Sequence, residues 1–316
     1  MQLHTVPEFY LKQFAIPDQE PYVWLYRLDQ RKWRRRPPRR IATKQDYYGV
    51  RAADGSVNYA LEEALNRAET KTTAVLREKV IPQRELKDED REHLALFVAL
   101  MMFRLPVLHD KINRSTSDIA ARALSLISWR YQNDPKGWEK YKEQHLEEAG
   151  QDLADLKPDD LDPSHYHIKT SHSHVLKIAF SNTAQIAELI DRMQWTFLIS
   201  QAGNYFIASD EPFHMVDPSN KHPFFGHGLG ANGIEVTLPL TRSIALLARW
   251  GERDTQWVST PSETVRTVNC RSAYSAREFI VAPSQQFPGS DVILERLRRT
   301  GEPDTEQESS KRTDNR

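Results

Sequence analysis

The sequence predicts an α+β fold: a helical layer over residues 58 to 193, packed on a mostly antiparallel sheet from an N-terminal strand and the C-terminal third. Three observations point this way. Apolar residues recur at helical spacing through the middle of the chain. The period then switches to two in "WTFLIS" (195–200), "YFIAS" (205–209), "IEVTLPL" (234–240), "SIALLARW" (243–250) and "EFIVAP" (278–283). An early strand, "YVWLYRLD" (22–29), stands ahead of the helices instead of alternating with them.

The elements follow in order. Val6, Tyr10, Leu11 and Phe14 lie at near-helical spacing, and Pro7 suits a first helical turn, where its missing N–H costs nothing. Residues 7–14 therefore read as a short helix that ties the start of the chain into the core. After the strand at 22–29 comes "RLDQRKWRRRPPRR" (27–40), with eight Lys or Arg in fourteen residues. Pro37 and Pro38 forbid a continuous helix there, so the run reads as a hairpin with a solvated basic turn. Residues 57–80 form a helix with Asn58 as N-cap and an apolar stripe of Leu61, Leu65, Ala68, Val75 and Leu76. A longer helix starts near Asp88, carries Leu94, Phe97, Val98, Met101 and Met102, and kinks at Pro106.

Residues 132–163 are polar and acidic, which suits a surface helix followed by a loop. Residues 174–193 form another amphipathic helix. "QAGN" joins 195–200 to 205–209 as a hairpin, and 261–276 form a helix between later strands. Residues 1–298 are expected to make a single α+β domain, and the polar tail 299–316 is expected to be disordered.

Composition excludes some classes of function. The 316 residues hold 43 Lys plus Arg against 44 Asp plus Glu, so no global field attracts polyanions and any such binding needs a local patch. The single cysteine, Cys270, rules out an intrachain disulfide and a Cys-rich zinc site, and fits a reducing, cytoplasmic compartment. The start "MQLHTVPEFY" has no apolar core of a signal peptide, and no stretch approaches the roughly 18 apolar residues of a membrane span. "GLGANG" (228–233) matches G-x-G-x-x-G but precedes a strand, which makes it a loop and not a dinucleotide fingerprint. "HYHIKTSHSH" (165–174) holds four histidines but lacks the spacing of a metal motif, so it reads as a polar loop ahead of a helix. There is no G-x-S-x-G elbow and no P-loop, and Cys270 reads as a small core residue.

What remains is a set of polar residues set inside packing segments. His4 precedes the first helix. Glu62 and Glu69 lie two turns apart on one helix face, on either side of Leu65. Arg104 ends "LALFVALMMFR", and Asp210 and Glu211 follow the strand "YFIAS". Charges beside such apolar runs are paired when buried.

Several segments occur in a fixed order: "HTVPEFYLKQFA", "DYYG" (46–49), "EEALNRAE" (62–69), Phe103 to Pro106, Trp195, "FIASDEPF" (206–213), "LPL" (238–240) and "VN" (268–269). With them the chain resembles the bacterial domain-of-unknown-function family 4238 over residues 3 to 283. The most specific parts are His4, Pro7, Tyr10, Leu11 and Phe14, then Ser209, Asp210 and Pro212. The resemblance implies that Glu62, Glu69, Arg104 and Asp210 belong to one shared constellation. The family often has Asn where this chain has Glu211, which places Asp210 ahead of Glu211. It implies no activity, and neither the four-histidine stretch nor the basic run matches a family motif.

The functional expectation is a hydrolase, in its sharpest form a metal-dependent nuclease with a defence or toxin-like role. Glu69 and Asp210 would hold Mg or Mn, with Glu62 beside them; His4 would act as acid or base, and Arg104 would neutralise charge. Arg31, Lys32, Arg34, Arg35, Arg36, Arg39 and Arg40 would grip a phosphate backbone, with Trp33 as a stacking platform. The alternative is a non-catalytic binding module. In it the polar set is a structural ion-pair network, and the basic run 31–40 docks nucleic acid or an acidic partner.

Overall fold

The computed structural model describes residues 2–51, 56–149, 156–165, 168–218 and 228–299. It divides into two compact units, one of Met1–Leu105 with Ser181–Arg316 and one of Pro106–Phe180. The elements observed are helical through the middle of the chain, with two mostly antiparallel sheets built from its ends, as an α+β fold requires.

The first unit opens with β1 (Gln2–His4), α1 (Glu8–Lys12), β2 (Val23–Arg27), β3 (Lys32–Arg36), β4 (Thr43–Gln45), β5 (Val50–Arg51) and β6 (Val57–Asn58). Helices α2 (Ala60–Val75) and α3 (Asp88–Phe103) follow, with a π-helical turn at Leu76–Val80 after α2. The second unit holds α4 (Pro106–Tyr131), α5 (Pro135–Ala149) and nearly all of α6 (His172–Ser181). The first unit resumes with α7 (Thr183–Arg192), β7 (Gln194–Ser200), β8 (Ala208–Ser209), β9 (His214–Val216), β10 (Glu235–Pro239), β11 (Ile244–Arg249) and β12 (Thr255–Thr260). It ends with α8 (Ser262–Ser275), β13 (Phe279–Ala282) and α9 (Ser290–Arg299).

A five-stranded sheet runs β12-β7-β11-β10-β9, antiparallel except for the parallel β12–β7 pair. A four-stranded antiparallel sheet runs β3-β2-β13-β8. Strand β10 is buried along its whole length, although its sequence alternates polar and apolar residues. Helix α3 packs against α2 and α7, its Leu94, Phe97, Val98 and Met101 facing inward. Helix α1 links this helical layer to the five-stranded sheet. Tyr10 touches Phe14 and Phe97 and donates its hydroxyl to the Pro239 carbonyl at 2.8 Å. Arg242 adds an N–H bond to the Gln13 carbonyl and a guanidinium bond to the Ala15 carbonyl. The start of the chain is therefore fixed by Val6, Tyr10, Leu11 and Phe14, all buried as their spacing predicts.

Several boundaries differ from the sequence reading. Residues 195–200 and 205–209 are not a hairpin: β7 lies in the five-stranded sheet and β8 pairs β13 in the other. The physical reason is Asn269 on α8. Its side chain accepts the Ile207 N–H at 3.0 Å and donates to the Tyr205 carbonyl at 2.9 Å, taking backbone groups that a hairpin ladder would have used. The helix expected from 57 begins at Ala60, because Val57 and Asn58 pair with β5, yet the Asn58 side chain still accepts the Ala60 N–H at 2.8 Å. The helix from Asp88 stops at Phe103, and a separate one starts at Pro106. The helix expected over 174–193 is two, His172–Ser181 and Thr183–Arg192, interrupted at Asn182, whose backbone leaves the helical region.

Within the second unit, Trp138 stacks on Tyr141 and donates its indole N–H to the Leu156 carbonyl at 2.9 Å. Thr116 and Thr170 share a 2.7 Å hydroxyl bond, which ties α4 to the segment ahead of α6. Among the described residues no single helix is long and apolar enough to cross a membrane. Of the polar tail, residues 300–316 lie outside the described residues.

Candidate functional site

Helices α2 and α3 bring Glu62, Glu69 and Arg104 together. Glu62 and Glu69 stand two turns apart on α2, and Arg104 caps the C-terminus of α3. Arg104 Nη2 donates to Glu69 Oε1 at 2.5 Å. The guanidinium is 3% exposed and also lies over the Tyr48 ring, 5.7 Å from its centroid. Its Nε and Nη1 are buried and meet no acceptor among the described residues. A buried cation with unused donors is costly, each such donor at about 1–3 kcal/mol, so the guanidinium keeps capacity for a further acceptor on either side of Nη2. Burial raises the Glu62 carboxyl above the usual carboxylate range; Arg104 pulls it down and Glu69 pushes it up. Burial likewise raises the Tyr48 hydroxyl, with Arg104 opposing. The site thus joins a half-buried acid shifted toward its protonated form, a second carboxylate and an arginine with donors to spare.

His4 and Asp210 have other hydrogen-bond partners. The His4 side chain bonds through Nδ1 to the Ile41 carbonyl at 3.1 Å, and its strand pairs with Thr43–Gln45. No hydrogen bond or ion pair among the described residues joins His4 to Glu62, Glu69 or Arg104. The Asp210 carboxylate accepts the backbone N–H groups of Arg277, Glu278 and Phe279 at 3.1 to 3.3 Å, and so caps the entry to β13. Burial raises its carboxyl, against the lowering effect of those three donors.

Glu69 pairs with Arg104, and Asp210 accepts backbone N–H groups. Among the described residues no three His, Cys, Asp or Glu gather as a metal site. Glu211, beside Asp210, pairs with Arg277 at 2.7 Å.

The basic run forms the β2–β3 hairpin and the turn after it. Arg31 closes the hairpin with φ at 51°, its N–H bonded to the Arg27 carbonyl at 2.8 Å. Arg31, Lys32, Arg34, Arg35, Arg39 and Arg40 are exposed, and Arg36 is half-buried. Arg35 lies over the Tyr22 ring and bonds Gln19. Trp33 is half-buried: its ring packs against Tyr26 and Phe287, at the edge of a cluster that includes Ile207 and Ile280. The hairpin buries one face, and the aromatic falls on it.

Sequence reasoning missed Tyr48, which the "DYYG" segment carries with no chemical role to be read from its neighbours. It also missed a Ser–His pair: Ser275 Oγ lies 3.2 Å from His214 Nδ1. Burial, then the Arg271 charge, lowers the His214 ring to about 3, so it is neutral and too weak a base to activate a serine near neutral pH. Of the four-histidine stretch, His167 lies outside the described residues, and His172 faces the buried His109 ring at 6.4 Å. Cys270 is half-buried against the Tyr26 cluster, in keeping with a packing role.

No curated protein and no solved structure matches the chain. A family model does: that of the proteins of unknown function termed DUF4238, matched by residues 3–286, and the chain belongs to this family.

Proposed function

We propose that the Arg104 cluster is an anion-binding acid–base site and that the protein is a hydrolase of phosphodiesters, a nuclease acting on RNA in the cytoplasm. One observation carries this reading: Arg104 is 3% exposed and keeps Nε and Nη1 without acceptors among the described residues. A phosphate oxygen would accept from one of these donors, since Nε and Nη1 lie on different edges of the guanidinium, on either side of the Nη2 that Glu69 holds. Glu69, paired with Arg104, takes the proton of the attacking hydroxyl. Glu62, raised toward its protonated form by burial, returns a proton to the departing oxygen. The scheme uses the residues that meet at Arg104 and needs no shared metal ligand set. The exposed cations of the β2–β3 hairpin supply sequence-independent grip on the rest of the strand, and the single cysteine fits a reducing compartment.

The test is cleavage of labelled RNA and DNA by the full chain, with Mg or Mn and with a chelator. RNA is expected to be cut in both conditions, and Glu62→Gln to slow cutting by about 10²–10⁴-fold. Absence of cleavage in every condition, or an unchanged rate in Glu62→Gln, overturns the reading. The second reading, a non-catalytic module, is favoured by the same exposed hairpin. It would show as RNA retention in a gel shift by both the parent and Glu62→Gln, with no cleavage.

A further inference from the structure

We propose that the groove between α8 and the five-stranded sheet is a binding site for a small organic carboxylate with an apolar body. The groove has a volume of about 280 Å³, near the lower end for small-molecule pockets, and is walled by Leu198, Leu247 and Val268. Two features show that it is more than a packing gap. First, Thr237 on β10 is 1% exposed and lines the groove, yet its Oγ1 has no partner among the described residues. Valine would fill the same space without an orphaned hydroxyl, so the hydroxyl keeps unmet bonding capacity in the wall of the groove.

Second, the polar end of the groove carries unbalanced charge. Glu235 is shared by two arginines, Arg249 on β11 and Arg271 on α8, the latter at 2.6 Å. Each uses only Nη2 on that carboxylate, which leaves other guanidinium N–H groups for a second anion. The remaining acid of the lining, Glu263, is answered by Arg266 at 3.4 Å, so the triad keeps one net positive charge. A carboxylate at the arginine end, a hydrocarbon body against Leu198, Leu247 and Val268, and one hydrogen bond to Thr237 fit the apolar walls and both features. No residue is shared with the Arg104 cluster, so the two proposals stand or fall separately.

Titration calorimetry and thermal melts of the full chain test it, with hexanoate and benzoate as probes and hexylammonium and inorganic phosphate as comparisons. At least one carboxylate is expected to bind and raise the melting temperature, and neither comparison ion to do so. Thr237→Val is expected to melt at or above the parent and to bind about fivefold more weakly. Thr264→Phe, at the half-buried rim, is expected to abolish binding. The proposal is overturned if neither carboxylate binds at about 10 mM. It is also overturned if phosphate or hexylammonium binds as well, or if both variants bind like the parent.

Discussion

Glu62, Glu69 and Arg104 are legible in the sequence as charges set in apolar runs, and they meet because helical geometry puts the two glutamates on one face. The pair differ in what they cost. Glu62 has its carboxyl raised by burial above its ordinary value of 4.5. The folded state then binds more protons than the unfolded one over that interval, so stability falls as pH rises from about 4.5 through the folded value. Glu62→Gln is therefore expected to melt higher than the parent at about pH 7, with the gain vanishing near pH 4. A variant that melts equally at both values would show that Glu62 carries no desolvation penalty.

Glu69 has the opposite role. Without it the Arg104 charge stays buried and unanswered. Glu69→Ala should cost about 3 kcal/mol, the low end for removing one partner of a buried pair, since the Glu69 side chain is itself 22% exposed. Urea denaturation measures this directly. His4 and Asp210 fall in with these residues at the level of sequence because order along a chain gives no distances. A carboxylate after a strand serves equally as a catalytic group or as a backbone cap, and only the positions of the 277–279 N–H groups decide between them.

Among the elements, the long periodic helices and the strands at 234–240, 243–250 and 278–283 are legible because local patterning specifies them. Strands of two or three residues, such as β1, β4, β8 and β9, are too short to show a period, and their partners are remote in sequence. The parallel pairing of β12 with β7 likewise depends on a crossover that no local pattern reveals. Strand β9 carries a measurable consequence of such pairing. It places His214 opposite Thr237 and beside Ser275 on α8, where burial and Arg271 hold the ring at about 3. The unfolded chain protonates this ring near its ordinary 6.5, and the folded chain does not until about 3. Its contribution to stability is complete above about pH 6.5 and is lost as pH falls from there toward about 3, by about 5 kcal/mol at most. Denaturation midpoints between pH 7 and pH 4 should drop less in His214→Leu than in the parent. Equal slopes would mean that β9 opens to let the ring protonate at ordinary pH.

The whole molecule carries 43 basic against 44 acidic side chains, so any affinity for a polyanion is confined to where the charges are concentrated. The hairpin and its following turn are that place, and two kinds of residue there have separable roles. Arg34, Arg39 and Arg40 are exposed, whereas Trp33 lies with its ring against Tyr26 and Phe287. Replacing the three arginines by Gln should leave the melting temperature almost unchanged, within about 0.5 kcal/mol of stability. It should also flatten the dependence of log affinity for RNA on log salt by about three, close to one for each phosphate no longer neutralised. Trp33→Ala should do the reverse, lowering stability by about 2–3 kcal/mol through poorer packing while leaving the salt slope intact. Filter binding across a salt series, paired with melts of both variants, separates the two. If Trp33→Ala weakened RNA binding at constant stability, its ring would have to leave the core to meet a base. The hairpin would then be a mobile reader of single strands and not a fixed electrostatic clamp.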